Sequence, residues 1–124
     1  MDPDPVFDEE AFADTVETLA EHDDLRYLVW GGDWCGDCRS QLPQFGAALA
    51  AAGVSDDRIE EYPTEKADDG SKTGPRVAEY GIEYIPTVVV ERDTDDGVEE
   101  VARFVEEEPV PIPVYLAEQI RERQ

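Results

Sequence analysis

The chain has 124 residues, of which 40% are hydrophobic, and this suits one compact domain with a single modest core. It carries 32 acidic and 10 basic residues, and the formal net charge of −22 excludes a surface that binds nucleic acid through phosphate contacts. No segment approaches the ~20 apolar residues of a membrane span. We therefore expect neither a nucleic-acid nor a membrane partner.

The acidity is typical of proteins that fold in molar salt, where the Debye length falls to about 3 Å and repulsion among surface carboxylates is screened. Lys66 and Lys72 are the only lysines, and the other basic residues are arginines. The apolar runs LRYLVW and YIPTVVVE argue against a disordered chain. The composition resembles that of haloarchaeal cytosolic proteins. Because the N-terminus MDPDPVFDEE lacks the pattern of a secretion signal, we expect a cytoplasmic protein.

The first predicted element is an amphipathic helix that Asp8 can cap. Its apolar face is indicated by the helical spacing of Phe12, Val16 and Leu19. The apolar run from Leu25 to Trp30 then predicts a buried central strand, because it is too short for a helix and runs into two glycines.

The second predicted helix begins at Cys35. Its core-facing stripe repeats every three or four residues, which is the spacing of one helix face. The stripe consists of Cys35, Cys38, Leu42, Phe45, Leu49 and Ala52. Pro43 lies inside this helix and is expected to kink it, and Gly53 is expected to end it.

The middle of the chain is more polar. Residues 58–63 alternate weakly and predict a short strand, whereas residues 64–74 show no periodicity and predict a loop. A short helix is expected from Pro75 to Tyr80, closed by Gly81.

The last third predicts a β-hairpin and a helix. Residues 87–91 and 98–105 flank an acidic turn at residues 93–97, as in an antiparallel hairpin. Three prolines then favour an extended connector, and the last of them, Pro113, suits the first turn of a final helix.

These elements predict an α/β fold with the order α, β, α, β, α, β, β, α. A parallel βαβ unit followed by an antiparallel hairpin gives a central mixed four-stranded sheet, flanked by helices on both faces. We expect a single domain over residues 1–124, in which residues 1–6 form a flexible arm.

Both cysteines lie in the sequence Trp34-Cys35-Gly36-Asp37-Cys38, at the expected turn from strand to helix. The unpaired N–H groups of a helix N-terminus favour thiolate over thiol, and therefore favour a nucleophile. Cys38 lies one turn further along the core-facing stripe, which leaves Cys35 nearer to solvent. This geometry assigns attack to Cys35 and resolution to Cys38, so the motif predicts thiol–disulfide exchange.

The element order with WCGDC at its first strand-to-helix turn resembles the thioredoxin family, in the thioredoxin-like subgroup with WCxDC sites. Trp30 lies five residues before Cys35, and Pro43 lies five after Cys38. The family's cis-proline segment is resembled by Tyr80-Gly81-Ile82 and Ile85-Pro86-Thr87. The resemblance implies a thioredoxin-like fold and a monomer that reduces protein disulfides. Its partners would be disulfide-containing client proteins and an external reductant such as a thioredoxin-reductase system, and the exchange itself needs no cofactor.

The resemblance also implies how a client is bound. The Ile85-Pro86 bond would be cis and would pack opposite the dithiol, so that the backbone of Ile85 pairs with an extended client strand. Trp34 and Gly36, beside Cys35, would border the client groove.

Two residues depart from the family pattern. Val29 stands where typical members bury an acid that helps to deprotonate the resolving cysteine. Asp37, between the cysteines, is a candidate to accept that proton, and an equally weighted interpretation is a solvated first-turn acid that complements the helix dipole.

Two other functions remain open on the sequence. A zinc site would need two chains that share four cysteines, since His22 is expected to be solvated and no further ligands accompany the CxxC. A non-catalytic redox switch or adaptor, which uses a thioredoxin fold to bind a partner protein, is the stronger alternative.

Overall fold

The computed structural model describes residues 7–8, 10–22, 24–31, 36–66, 72–105 and 111–122, with the backbone alone at 36–40, 56 and 66. The elements in chain order are α1 (Ala13–Glu21), β1 (Leu25–Gly31), α2 (Gly36–Ala51), β2 (Ile59–Pro63), β3 (Glu65–Lys66), β4 (Lys72–Thr73), α3 (Val77–Tyr80), β5 (Thr87–Thr94), β6 (Gly97–Val105) and α4 (Ile112–Glu122). A 3₁₀ turn, Asp56–Arg58, precedes β2.

The main sheet has four strands in the order β2-β1-β5-β6. β1 is parallel to β2 and antiparallel to β5, and β5 is antiparallel to β6. The prediction of an α/β fold with a mixed four-stranded sheet, made of a parallel βαβ unit and an antiparallel hairpin, is therefore confirmed. β1 is a nearly continuous apolar run because both of its faces are covered.

The two faces of the sheet are covered unequally. Leu25, Tyr27 and Val29 of β1 face the larger cluster, to which α1, α2 and α4 all contribute buried side chains. Leu28 and Trp30 face the smaller cluster on the opposite side. The smaller cluster is completed by Val89, by Ile82 and Ile85, and by the partly buried Leu42, Tyr62, Val77 and Tyr80. Helices thus cover both faces, but the helix on the smaller face is only the four-residue α3.

The buried face of α1 differs from the predicted one. Thr15, Thr18 and Leu19 are buried, whereas Phe12 and Val16 are only partly buried. Thr18 can be buried because its hydroxyl donates to the Asp14 carbonyl at 2.9 Å and accepts from Arg121 of α4 at 2.8 Å. Hydrogen bonding to the neighbouring helix therefore rotates α1 away from the orientation that hydrophobicity alone predicts.

The start of α1 also differs from the prediction. Asp8 accepts hydrogen bonds from the amides of Glu10 and Ala11, at 3.1 and 3.2 Å. It therefore caps the turn that precedes α1, and the helix itself begins after Phe12 without a side-chain cap.

The predicted stripe is confirmed from Leu42 onward, whereas the side chains of Cys35 and Cys38 are not described. Phe45 and Leu49 are buried, and Leu42 and Ala52 pack against the same cluster. Gly53 ends the helix as expected, in a left-handed conformation with φ of 76°.

The predicted loop at residues 64–74 is in part a small antiparallel ladder, which corrects the sequence assignment. Glu65 pairs with Thr73 and Lys66 pairs with Lys72. Each strand has two residues, so no alternation was present to indicate it. A Cβ atom on Gly74 would lie 2.6 Å from the Pro63 carbonyl oxygen, so a glycine is needed where the ladder returns to β2.

The boundaries of the last two strands differ by a few residues from those predicted. β5 extends to Thr94 and β6 begins at Gly97, so the hairpin turn is tighter than predicted and contains only Asp95 and Asp96. Apolar alternation stops earlier because the end of the hairpin is solvated. α4 begins at Ile112 and carries Pro113 in its first turn, as predicted. None of the helices in the described ranges is long and apolar enough to cross a membrane.

We predict that Gly74→Ala lowers the free energy of unfolding by about 2–4 kcal/mol, because the new methyl group meets backbone that cannot move aside. Gly53→Ala is the control. Nothing lies within 4 Å of the position that its new methyl group would take, so only the left-handed conformation costs energy, about 1–2 kcal/mol. Denaturant unfolding at high salt measures both losses, and equal losses would contradict the close approach at Gly74.

Candidate active site

The predicted dithiol turn lies between β1 and α2. β1 ends at Gly31 and α2 begins at Gly36, so residues 32–35 form the connection. Trp34 and Cys35 lie outside the described residues. Gly36, Asp37 and Cys38 form the first turn of α2, and only their backbone is described. The predicted helix is therefore described from Gly36 onward, and the prediction for Trp34 and Cys35 concerns residues outside the described ranges.

The predicted client-docking segment lies at the same end of the central strands. Trp30 of β1 is the antiparallel partner of Thr87 of β5, and Ile85 and Pro86 directly precede Thr87. The Ile85–Pro86 bond is cis, which is the isomer that the resemblance implied. Both residues are buried. The sheet therefore places the end of β1, which leads into the CxxC motif, beside Thr87, which directly follows Ile85–Pro86.

β2, the other strand that pairs with β1, ends at the same end of the sheet. Gly31 is the parallel partner of Pro63, the last residue of β2, and its carbonyl accepts a hydrogen bond from the Thr64 amide at 2.9 Å. Thr64 is buried, and its hydroxyl donates to the Tyr62 carbonyl at 3.1 Å. The backbone on the β2 side of the dithiol turn is thus fixed by ordinary ladder and turn hydrogen bonds.

Val29 occupies an apolar position. It is 2% exposed in the larger cluster and pairs with Val88 across the ladder. Among the described residues the only buried carboxylate is that of Glu91, which is 5% exposed and belongs to the opposite face of the sheet. Val29 therefore contributes an apolar side chain to the core.

Trp30 is surrounded by aromatic and backbone groups. It is fully buried, and its ring centroid lies 5.0 Å from that of Tyr62 and 5.1 Å from that of Tyr80. Its indole nitrogen donates to the Pro75 carbonyl at 2.9 Å. Trp30, near the end of β1, therefore contacts β2 on one side and the segment that precedes β5 on the other.

Arg76 joins the two tyrosines that contact Trp30. Its guanidinium donates to the hydroxyl of Tyr62 and to that of Tyr80, both at 2.9 Å, and lies over both rings. Each phenol then donates to a carboxylate at 2.5 Å, Tyr62 to Glu60 and Tyr80 to Glu91. We call these five residues the Arg76 cluster.

The surroundings of the Arg76 cluster favour a charged guanidinium and two neutral phenols. Burial, followed by the hydrogen bond to Glu91, raises the pKa of Tyr80 to about 12. Burial and the hydrogen bond to Glu60 raise the pKa of Tyr62. Hydrogen bonds to Tyr62 and Glu79 raise the pKa of Arg76 above its usual value. At neutral pH the cluster therefore holds one guanidinium cation between two neutral phenols.

Sequence reasoning did not identify the Arg76 cluster. Its members come from β2, from the segment before α3, from α3 and from β5, and no periodicity links them. Arg76 also adopts a left-handed conformation with φ of 60°, which delays the start of α3 to Val77. The helix was predicted from Pro75 because a proline suits a first turn, and the side-chain contacts of Arg76 override that preference.

An exposed aromatic residue borders the docking segment. Tyr84 immediately precedes Ile85 and is 51% exposed. Its carbonyl accepts a hydrogen bond from the Thr87 hydroxyl at 2.6 Å, so its backbone is fixed while its ring faces solvent. The other large exposed hydrophobic side chain among the described residues is Val98, which is 56% exposed at the far end of the hairpin.

Metal binding is not indicated within the described ranges. They contain no group of three or more histidine, cysteine, aspartate or glutamate residues placed to hold an ion. The ring of His22 contacts the Thr18 carbonyl at 2.7 Å through Nδ1. The alternative of a zinc ion shared between two chains concerns Cys35, which lies outside the described residues.

Comparison with known proteins gives no family. No protein-family model matches the chain, and no curated protein matches it. The function is therefore argued from the placement of the chain's own residues.

The core beneath this site yields a prediction for alkaline pH. The hydroxyl of Tyr27 is buried without a hydrogen-bond partner among the described residues, and burial raises its pKa from 10.0 to about 12. The folded protein therefore keeps this proton more firmly than the unfolded chain does. The associated stability is present below pH 10 and is lost as the pH rises toward 12, by up to about 3 kcal/mol.

Tyr27→Phe isolates this contribution. At pH 8 we expect the free energy of unfolding to change by less than about 1 kcal/mol, because the hydroxyl that is removed makes no hydrogen bond within the described part of the chain. Between pH 10 and pH 12 the variant should lose less stability than the wild-type protein. Urea unfolding at constant salt across this range measures the difference, and parallel curves would contradict the prediction.

Proposed function

We propose that this protein is a thioredoxin-like thiol–disulfide oxidoreductase that reduces disulfides in client proteins through Cys35 and Cys38. The observation that carries the proposal is the pairing of Trp30 with Thr87. It brings the connection that contains Cys35 and the segment Ile85–Pro86 to one end of the central strands. This supports the proposal, because thiol–disulfide exchange on a protein substrate requires a nucleophile close to a backbone segment to which the client can pair.

The sheet order supports the thioredoxin-like assignment. A parallel β1-α2-β2 unit and an antiparallel β5-β6 hairpin share one mixed sheet, and α4 packs on the same face as α2. The CxxC motif falls at the first turn of the crossover helix of the βαβ unit. Fold alone does not fix activity, so the proposal rests on the motif in this position.

The proposed reaction is two successive exchanges. The Cys35 thiolate attacks one sulfur of the client disulfide, the client S–S bond breaks, and a mixed disulfide forms as the first client thiolate leaves. The Cys38 thiolate then attacks the Cys35 sulfur, which forms the Cys35–Cys38 disulfide and releases the second client thiolate. Two electrons pass to the client, and an external dithiol reductant, such as a thioredoxin-reductase system, restores the protein.

The proposal also concerns which group accepts the proton of Cys38. Val29 provides no carboxylate beneath the dithiol, so the proton of Cys38 needs another acceptor. Asp37 lies within the first turn of α2 and is the nearest acid in sequence. In the proposed cycle it accepts this proton, or else it acts only on the helix dipole while water takes the proton.

A redox switch or adaptor is the second candidate, and the burial of Val29 favours it. Without a buried acid the resolving step can be slow, and a slow dithiol is better suited to recording the redox state than to turnover. In that case the protein would bind a partner in one oxidation state without reducing it catalytically.

Insulin reduction driven by dithiothreitol at high salt distinguishes the two candidates. We expect the protein to accelerate precipitation of the insulin B chain over dithiothreitol alone. Cys35→Ser should abolish the acceleration, since no nucleophile remains. Cys38→Ser should also lose turnover, and when the pre-reduced variant is mixed with insulin without dithiothreitol it should accumulate a mixed disulfide that survives denaturation and is removed by reductant. If the wild-type protein gives no acceleration, the enzyme proposal is wrong.

The exposed ring of Tyr84 predicts where clients are contacted. Tyr84→Ser should raise the KM for insulin about 3- to 10-fold with little change in kcat, because it removes an aromatic contact of about 0.5–1.5 kcal/mol at the docking segment. Val98→Ser is the matched control, since this side chain is equally exposed but lies at the other end of the sheet. An equal change in KM for both variants would refute docking at residues 84–86.

A further inference from the structure

The segment that carries Ile85–Pro86 crosses the smaller face of the sheet with little regular structure. We call residues 74–86 the strap. Its only helix is the four-residue α3, so side-chain contacts must fix its position. Side chains of the described sheet donate three hydrogen bonds to strap carbonyls, one of them from the Thr87 hydroxyl to the Tyr84 carbonyl at 2.6 Å. The indole of Trp30 donates to the Pro75 carbonyl at 2.9 Å, and Arg103 of β6 donates to the Tyr80 carbonyl at 3.0 Å.

Arg76 joins several side chains around the strap. Its left-handed backbone is unfavourable for a residue with a Cβ atom and persists only where the surroundings impose it. Here the guanidinium supplies two donors at a fixed angle, one to Tyr62 and one to Tyr80. It also forms an ion pair with Glu79 and lies 3.7 Å from a carboxylate oxygen of Glu60.

These contacts join three parts of the molecule around one indole ring. Tyr62 belongs to β2, and Tyr80 is bonded to the buried Glu91 of β5. Both phenol rings contact Trp30, one residue before the end of β1. The strap is therefore held at a defined position relative to β1, which leads into the dithiol turn, and to β5, which begins directly after Pro86.

We infer that Arg76 is a positioning residue that sets the strap, and with it the client-docking segment at residues 84–86, relative to the dithiol. In this inference it acts through Tyr62, Tyr80 and Trp30. This inference rests on the proposed reductase function, which supplies the client. It also makes a structural claim that is independent of activity. Loss of the guanidinium should speed local opening at residues 84–87 and leave the opening of the four-stranded sheet unchanged elsewhere.

Two substrates test the functional part. Arg76→Lys keeps the positive charge but cannot place two donors on two hydroxyl groups at once. We expect its kcat/KM for insulin to fall at least about 10-fold, mainly through KM, because an extended client requires the docking segment. Reduction of bis(2-hydroxyethyl) disulfide, which is too small to need that segment, should proceed at the wild-type rate. The reduction potential of the dithiol should be unchanged.

Arg26→Lys is the matched control. Arg26 also forms an ion pair, with Asp93 at 2.8 Å, but it lies near the opposite end of β1. The Arg26→Lys variant should reduce both substrates at the wild-type rate. Arg76→Gly separates positioning from stability, since it removes the guanidinium while relieving the left-handed backbone. It should show the same selective loss for insulin as Arg76→Lys, with a smaller fall in the thermal midpoint.

Amide hydrogen exchange tests the structural part. The amides of Ile85 and Thr87 should exchange at least about 10-fold faster in Arg76→Lys than in the wild-type protein or in Arg26→Lys. Equal exchange in all three proteins would overturn the inference, and so would an equal loss of activity on both substrates or no loss on either. If the wild-type protein reduces neither substrate, the proposed function fails, and the exchange rates alone decide whether Arg76 positions the strap.

Discussion

Burial of Trp30 at the carboxyl end of β1 is the constraint on which the arrangement of this site depends. The indole is large and has one donor, so its burial requires both a close aromatic environment and a fixed acceptor. The two tyrosines provide the first, and the Pro75 carbonyl provides the second. Because Pro75 belongs to the strap, burying this one ring also fixes the chain segment that leads to Pro86. The core and the candidate site are therefore not separate parts of the molecule.

Most of the charged side chains in the described ranges lie at the surface, and the apolar clusters lie inside. Ion pairs such as Arg26 with Asp93 and Arg103 with Glu100 are solvent-exposed, and pairs of this kind contribute at most about 1 kcal/mol. With a net charge of −22, the surface opposes folding at low salt, and the apolar clusters must supply the stability. Glu91 is the exception, because it is buried and needs the hydroxyl of Tyr80 as a donor. The Arg76 cluster thus joins the buried Glu91 and the partly exposed Glu60 through two tyrosines that contact Trp30.

Some parts of this structure could be predicted from sequence, and others could not. β1, β2 and the hairpin were predictable because an apolar run, a weak alternation and an acidic turn are local signals. The stripe of α2 was predictable for the same reason, since Leu42, Phe45 and Leu49 recur at helical spacing. The rotation of α1 was not, because it depends on hydrogen bonds between Thr18 and α4. Arg76 could not be placed either, since its partners lie on different elements and its conformation reflects tertiary contacts.

The same distinction applies to the candidate site. The positions of the CxxC motif at the start of a helix and of Ile85–Pro86 before an inner strand followed from motif order along the chain. That Ile85–Pro86 follows the end of β1 across the sheet depends on the pairing of β1 with β5, which motif order alone does not establish. Val29 and Asp37 are the features that leave reactivity open, because one places an apolar side chain in the core and the other places an acid between the cysteines.

The reduction potential of the Cys35–Cys38 pair tests the central claim most directly. It can be measured by equilibration with glutathione or dithiothreitol buffers at high salt, followed by alkylation and mass determination of the free thiols. For a client-reducing protein we expect a single two-electron couple near about −270 mV. A value near about −120 mV would make the protein an oxidant, and the absence of any two-electron couple would contradict thiol–disulfide exchange altogether.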